Sequence, residues 1–345
     1  MGGDKGPRVA LEGALLELRQ RRNISFIFHG RQHELQPILD EMPELKAVSH
    51  IVHSDNVITM DDKPGQALRK GRGNSSMWAA LETVKAGNAD VVVSGGNTGA
   101  LMAMATFCLR PMEGIARPAI AAIWPTLRAD IIVLDVGATV EDDARHLVDF
   151  SILGAALARA LFDQEAPTVG LLNVGTEEMK GHEEVKEAAK ALTAASGAGF
   201  IYHGFVEGDD IGKGTVDVVV TDGFTGNIAL KTAEGTARQI GSYLRSAFTA
   251  DLLSKVGVVI AGQAIAALSR KLDPRNINGG VFLVLNGIVI KSHGGTDAVG
   301  FKAAVSLAYE MARNRLIDKI GEGMRRFPNV ALQAASAAEP EKKPA

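Results

Sequence analysis

The chain has 345 residues, of which 46% are hydrophobic and 22% charged, as is ordinary for a globular domain. Aromatics at 5% are too sparse for a base-stacking platform, and a formal net charge of −3 excludes a dominant nucleic-acid footprint. One cysteine, Cys108, excludes an internal disulfide and a multi-cysteine metal site, and its apolar setting reads as a buried structural thiol.

In chain order, short β-branched runs alternate with helical stretches. A helix is expected over 8–22, a strand over 24–29, a helix over 31–41 and a strand over 48–53. Next come a helix over 75–85, a strand over 90–94, a helix over 98–109 and strands over 118–123 and 131–135. The helix over 142–161 carries acidic residues in its first turn, where the helix dipole favours them. A strand over 169–173, a helix over 177–195, and strands over 200–205 and 217–221 follow. A helix over 227–248, strands over 281–285 and 288–291, and a helix over 296–320 complete the pattern. It reads as a three-layer α/β/α fold with a mostly parallel sheet, covered on both faces. One catalytic domain is expected over 1–330, with a helical protrusion at about 245–275 and a disordered tail over 331–345.

Met1-Gly-Gly-Asp4 leads into charged sequence rather than a secretory leader. No apolar run reaches the roughly 18 residues that span a bilayer. The protein is therefore expected to be cytoplasmic.

Two segments share one grammar. Asp90-Val-Val-Val leads into Ser94-Gly-Gly-Asn-Thr-Gly99, and Asp217-Val-Val-Val leads into Thr221-Asp-Gly-Phe-Thr-Gly-Asn227. Each is a buried strand, a glycine-rich polar turn and a helix. Free N–H groups at such a helix start suit a phosphate or an oxyanion, and ligands of α/β sheets collect beyond strand carboxyl ends. Familiar motifs are missing. Residues 71–76 fail the dinucleotide fingerprint, residues 208–214 fail the P-loop spacing, and neither a zinc helix nor a serine elbow occurs.

With these turns in place, the chain resembles the PlsX family, the phosphate acyltransferases of bacterial phospholipid synthesis. The resemblance runs through Met1-Gly-Gly-Asp4, Ser94-Gly-Gly-Asn-Thr-Gly-Ala-Leu-Met102, Gly114-Ile-Ala-Arg-Pro118 and Leu134-Asp-Val-Gly-Ala138. It continues through Leu171-Leu-Asn-Val-Gly175, Glu177-Glu-Met-Lys-Gly181, Gly204-Phe-Val-Glu-Gly208, Asp222-Gly-Phe-Thr-Gly-Asn227 and Asn286-Gly-Ile-Val-Ile-Lys-Ser-His-Gly294. It implies a phosphotransacetylase/isopropylmalate dehydrogenase-like fold, a homodimer, and no metal or nucleotide cofactor. It also implies transfer of a fatty acyl group from acyl carrier protein to orthophosphate. The family commonly has a strand ahead of the Met-Gly-Gly-Asp motif, so translation is expected to begin upstream of Met1. Thr139 and Thr176 stand where the family commonly has Asn and Glu.

The chemistry asks for little. Orthophosphate is already partly dianionic at neutral pH, and a thiol leaves readily, so positioning and oxyanion stabilisation remain. Ser94, Gly96, Asn97, Thr98 and Gly99 are the expected phosphate turn, with Asn97 and Thr98 donating. Arg69, Lys70, Arg72, Ser75 and Ser76 form a second basic, hydroxyl-rich cluster, which reads equally as a solvated loop meeting acidic carrier protein. Asn227, beside Asp222, is expected to polarise the thioester oxygen, with a plain helix cap as the competing reading. Lys291 and His293 follow a strand and are expected at the ligand edge, His293 protonating the departing thiolate. Lys180 and Lys231 are secondary cation candidates.

Residues 248–272 combine Val256, Val259 and Ile260 with Arg270 and Lys271, a pattern that suits either a membrane interface or a dimer interface. The resemblance favours peripheral membrane association and contact with the membrane-bound glycerol-3-phosphate acyltransferase. The competing functions are a phosphotransacetylase acting on acyl-CoA and a non-catalytic membrane scaffold binding acyl carrier protein.

Overall fold

Ten short runs rich in β-branched residues form the ten expected strands, as a computed structural model shows. The structure describes residues 1–113, 118–140, 142–194, 199–251, 254, 257–258, 260–265 and 279–326. Its first part comprises α1 (Pro7–Gln20), β1 (Phe26–Gly30), α2 (Gln32–Asp40), α3 (Pro43–Lys46), β2 (Ser49–His53), α4 (Pro64–Gly71), α5 (Ser76–Lys85), β3 (Val91–Ser94) and α6 (Thr98–Leu109). Then come β4 (Ile120–Trp124), β5 (Ile131–Leu134), α7 (Ala144–Phe162), β6 (Thr168–Leu172), α8 (Glu183–Ala194), β7 (Ile201–Val206), α9 (Gly208–Lys213) and β8 (Val218–Val220). The last are α10 (Gly223–Thr249), β9 (Gly280–Phe282), β10 (Ile288–Lys291), α11 (Ala298–Arg313) and α12 (Leu316–Arg326).

Three helices escape the periodicity reading because they are short: α3, α4 and α9. Proline opens α3 and α4, where its missing N–H costs nothing. The helix expected over 177–195 begins only at Glu183, because Gly181 takes φ +89° and Asn173 folds against it. The helix expected over 296–320 breaks at Arg315, whose φ is +53°.

Strands β3-β10-β9-β4-β5-β8-β6-β7 form one sheet, and β1 and β2 pair separately. Four of the seven pairings in the large sheet are parallel, so the mostly parallel expectation holds, but the three antiparallel ones are consecutive and central. That centre reverses the strand direction. β3, β10 and β4 run one way, while β9, β5, β8, β6 and β7 run the other. The two glycine turns, after β3 and after β8, therefore leave the sheet at opposite edges. This corrects the expectation of a single ligand edge.

Alternation along the strands serves two cores. Ile132, Leu134, Val218 and Val220 pack with the helices around α7, whereas Ile131, Val133 and Val219 pack with Leu81, Leu101 and Met104 of α5 and α6. Burial of each such aliphatic chain contributes about 1.5–3 kcal/mol. Cys108 lies in the second core at 1% exposure, and burial pushes its thiol above the usual range, as suits a structural residue. A third core under the small sheet gathers Leu11, Leu18, Leu35, Leu39 and Leu45.

Between β1 and β3 lies a cleft of about 610 Å³, lined by Phe26, Phe28, His29, Val91, Val93 and Met1 among others. Burial, reinforced by His50, lowers the His29 imidazole to about 4, so it stays neutral there. Among the described residues, the facing edges of β1 and β3 pair with no strand on this side. Joining one apolar strand to the chain ahead of Met1 is expected to raise the melting temperature by several degrees, because it would pair with both edges. An unchanged melting temperature would show that the cleft does not take a strand.

Candidate active site

Parallel register sets Lys291 beside Ser94, so the turns after β10 and β3 share one edge. Residues 1–4 lie across it, with the Asp4 amide donating to the Gly294 carbonyl at 3.1 Å. Glycine makes this crossing possible. A Cβ on Gly3 would meet the Gly95 carbonyl oxygen at 3.3 Å, and one on Gly294 would meet it at 3.2 Å.

The turn after β3 is held from within. Ser94 Oγ accepts from the Gly96 amide at 3.2 Å. Asn97 caps α6, its Oδ1 accepting from the Ala100 amide at 3.0 Å. Its Nδ2 donates to the Met60 carbonyl at 2.7 Å and the Asp62 carbonyl at 2.9 Å, which straps the preceding loop to the turn. The donors of Asn97 are thus directed at the protein's own carbonyls. Thr98 opens α6, and Gly99 lets Pro64 approach, since a Cβ there would stand 2.7 Å from the proline ring.

Lys291 is 8% exposed and donates to the Ser292 carbonyl. Burial lowers its ammonium to about 8, Asp4 opposing that shift and Lys231 adding to it. His293 Nε2 lies 3.0 Å from Glu234 Oε1, and the other oxygen of Glu234 takes Arg238 at 3.0 Å. Burial pushes the Glu234 carboxyl upward, but His293, Arg238 and Lys231 together hold it below the usual range.

The opposite edge is organised by Asp135, which is fully buried. Its carboxylate accepts from the backbone N–H groups of Ile120, Gly137, Ala138 and Thr139 at 2.8–3.0 Å, and from the Thr139 hydroxyl at 2.9 Å. Thr139 also contacts Asp142 and accepts from the Gly223 amide at 3.2 Å, tying the β5 turn to the start of α10. Burial, only partly offset by Thr139, raises the Asp142 carboxyl. At Gly226 a Cβ would stand 1.9 Å from the Asp135 carbonyl oxygen, so only glycine allows this approach. Asp222 caps α10, accepting from the Thr225 amide at 2.8 Å. Asn227 lies against Gly137, where a Cβ would come within 3.5 Å of its amide carbon.

Helix α10 joins the two edges. Asn227, Lys231 and Glu234 follow at i, i+4 and i+7, so they share one face. From Gly223 to Glu234 the helix covers about 17 Å. It starts at the Asp135 edge and reaches His293 at the Lys291 edge.

The other candidates lie elsewhere. Ser75 is fully buried as the cap of α5, accepting from the Trp78 amide at 3.2 Å and donating to the Gly71 carbonyl at 2.8 Å. Its hydroxyl is spent within the fold, against the expectation of an anion ligand. Arg72 stacks over Phe107 at 4.2 Å, and Arg69 Nε donates to the Gly65 carbonyl at 3.3 Å, both on the outer surface of α4 and α6. Lys180 pairs with Glu177 at 2.9 Å in the loop after β6. Ile260 is 83% exposed, while Val256, Val259, Arg270 and Lys271 lie outside the described residues, as do residues 114–117 and the tail over 331–345. No described helix is long and apolar enough to cross a membrane.

Sequence reading missed Asp135, Glu234 and Asp4. The spacing of Glu234 from Lys231 and Asn227 was available as a signal. Asp135 opened a conspicuous Asp-Val-Gly-Ala-Thr turn, but its role depends on Ile120, from a neighbouring strand.

The family described as "Fatty acid synthesis protein" matches residues 1–319. The chain is 61% identical over 319 residues to the "Phosphate acyltransferase" of Chelativorans sp., covering 92% of this chain and 91% of that protein. It is 59% identical over 340 residues to the protein of the same name from Xanthobacter autotrophicus, covering 98% and 95%. Among solved structures it resembles a phosphotransacetylase from Streptococcus pyogenes, with a TM-score of 0.53 at 15% identity, covering 88% and 98% of the two chains. It also resembles the 4-hydroxythreonine-4-phosphate dehydrogenase of Klebsiella pneumoniae, with a TM-score of 0.52 at 13% identity, covering 90% and 96%. At such identities the likeness is one of fold. It supports the expected three-layer architecture.

Asp135→Ala would leave four backbone amides without their acceptor. It is expected to cost about 3 kcal/mol or more, as each orphaned donor carries a penalty of roughly 1 kcal/mol or above. Denaturant titration would check this, and a loss under about 1 kcal/mol would contradict the organising role given to Asp135.

Proposed function

Because the chain belongs to the phosphate acyltransferase family, we propose that it transfers a fatty acyl group from acyl carrier protein to orthophosphate, giving an acyl phosphate for phospholipid synthesis. The observation that carries this reading is near-full-length identity of 57–61% to proteins called phosphate acyltransferases. The geometry supports it by gathering cations and glycine-opened backbone, with no dedicated nucleophile among the described residues there.

In this reading the phosphate lies between the Gly95–Gly96 backbone and the ammonium groups of Lys291 and Lys231. A phosphate oxygen attacks the thioester carbonyl carbon, and the developing oxyanion is met by Asn227 and the nearby turn. The attack forms the C–O bond to phosphate, and collapse of the tetrahedral adduct breaks the C–S bond. The thiolate leaves and takes its proton from His293, which Glu234 orients. Asp222 and Asn97 serve as positioning residues, since each caps the helix whose first turn borders the site. Helix α10 links the two edges, starting beside the Asp135 turn and carrying Lys231 and Glu234 toward His293.

The chain also acts as a homodimer attached peripherally to the membrane, near the glycerol-3-phosphate acyltransferase that would consume its product. Support for the dimer comes from α10, which leaves Phe224, Ile228, Ile240 and Tyr243 between 41% and 63% exposed. Support for membrane contact comes from Ile260, on the segment beyond it.

Incubation with palmitoyl-acyl carrier protein, with and without orthophosphate, tests the reaction, acyl phosphate being read as its hydroxamate. Phosphate-independent consumption of the thioester would sink the assignment. Lys291 makes the reaction sensitive to alkali. Its positive charge is nearly complete below about pH 7 and is lost as pH rises through about 8. The KM for phosphate is therefore expected to rise by about fivefold between pH 8 and pH 9. In Lys291→Met it should be high and flat across that range, and a pH-independent KM in the unsubstituted protein would remove Lys291 from the phosphate site. For membrane contact, Ile260→Asp should reduce co-sedimentation with phosphatidylglycerol vesicles, and undiminished binding would reject that segment as the anchor.

A further inference from the structure

Helix α6 has no charged side chain along Thr98–Leu109, a composition that normally belongs to a helix buried on every side. Its inner face is indeed buried through Leu101, Met104, Ala105 and Cys108. The outer face is not. Met102, Ala103 and Thr106 are half-buried and Phe107 is 37% exposed, with α4 and α5 packed on the flanks.

The border of this uncharged strip is basic. Residues 63–81 carry Lys63, Arg69, Lys70 and Arg72 and no acidic residue, in a chain whose net charge is −3. Arg72 lies 4.2 Å and Arg110 5.5 Å from the centre of the Phe107 ring. Two guanidinium groups thus share one exposed aromatic, and arginine is among the residues that most often dominate protein contacts. Lys70 pairs at 3.5 Å with Asp62, whose carboxylate also accepts from the Thr59 amide.

We propose that the outer face of α4 and α6, centred on Phe107 and rimmed by Arg72, Arg110 and Lys70, docks an acidic helix of the acyl carrier protein. This rests on the reading of the acyl donor given above. Charge complementarity selects the partner, because a neutral or basic surface would leave the guanidinium groups without counter-charge. Position supports the same choice. Helix α6 starts at the glycine turn of the site, and Phe107 stands nine residues further on, about 14 Å along the axis. A carrier seated there would present a thioester on a flexible arm to that turn.

Fluorescence anisotropy of labelled acyl carrier protein, titrated with the full chain, reads docking without requiring turnover. Phe107→Ser and Arg110→Glu are each expected to weaken binding by tenfold or more. Added salt should weaken the unsubstituted protein's binding while affecting Arg110→Glu less. Both variants should keep their phosphate-dependent activity on a short acyl-pantetheine, which also shows that they fold. Carrier binding equal to that of the unsubstituted protein would overturn the proposal. So would a change in molecular mass in either variant, since the face would then belong to a second copy of the chain. Undiminished carrier binding by a protein with no phosphate-dependent turnover would sink the catalytic reading and leave the docking surface standing.

Discussion

The 3.0 Å contact between Glu234 and His293 is the stitch on which the site depends. It ties together two sets of loops that lie at opposite edges, because three consecutive antiparallel pairings turn half of the sheet around. Helix α10 begins in the Asp135 turn and delivers Lys231 and Glu234 to the far edge. Its amino-terminal turns are fixed by Asp222, by Thr139 and by the close approach to the fully buried Asp135. Rigidity at one end of α10 therefore sets the position of His293 at the other.

Most polar groups near the glycine turns are occupied by the fold itself. Asn97, Asp222 and Ser75 cap helices, and Asp135 serves a ring of amides. In the proposed reading a ligand meets backbone, cations and the Asn227 amide, a combination suited to a tetrahedral anion and poorly suited to proton abstraction from carbon. Lys291 embodies the compromise. Burial strengthens its field at short range, since less water screens it, but the same burial weakens its hold on its own proton.

Much of the fold was legible because its signals are local. The Asp90 and Asp217 runs each announced a strand, a turn and a helix, and all three followed in both cases. Lys291 was also legible, since a lysine that ends a buried strand and precedes two glycines has few places to go. The direction of β9, β4 and β5 was not, because a run such as Ile131–Leu134 reads the same whichever way its neighbours point. Asn97 and Ser75 misled for a related reason. A cap and an anion ligand need the same side chain at the same helix start, and only the positions of the Met60 and Gly71 carbonyls tell them apart. Asp135 depended on the Ile120 amide, which the chain brings in from fifteen residues away.

Gly226 has a consequence for how this protein can change over generations. With the Asp135 carbonyl oxygen 1.9 Å from where any β-carbon would stand, the position admits a single letter of the amino-acid alphabet. Gly223, where the nearest backbone oxygen would be 2.4 Å away, is almost as closed. Drift in the surrounding residues can change the side chains around this corner but cannot move its backbone, so new substrate preferences must arise from the rim, leaving the corner as it is.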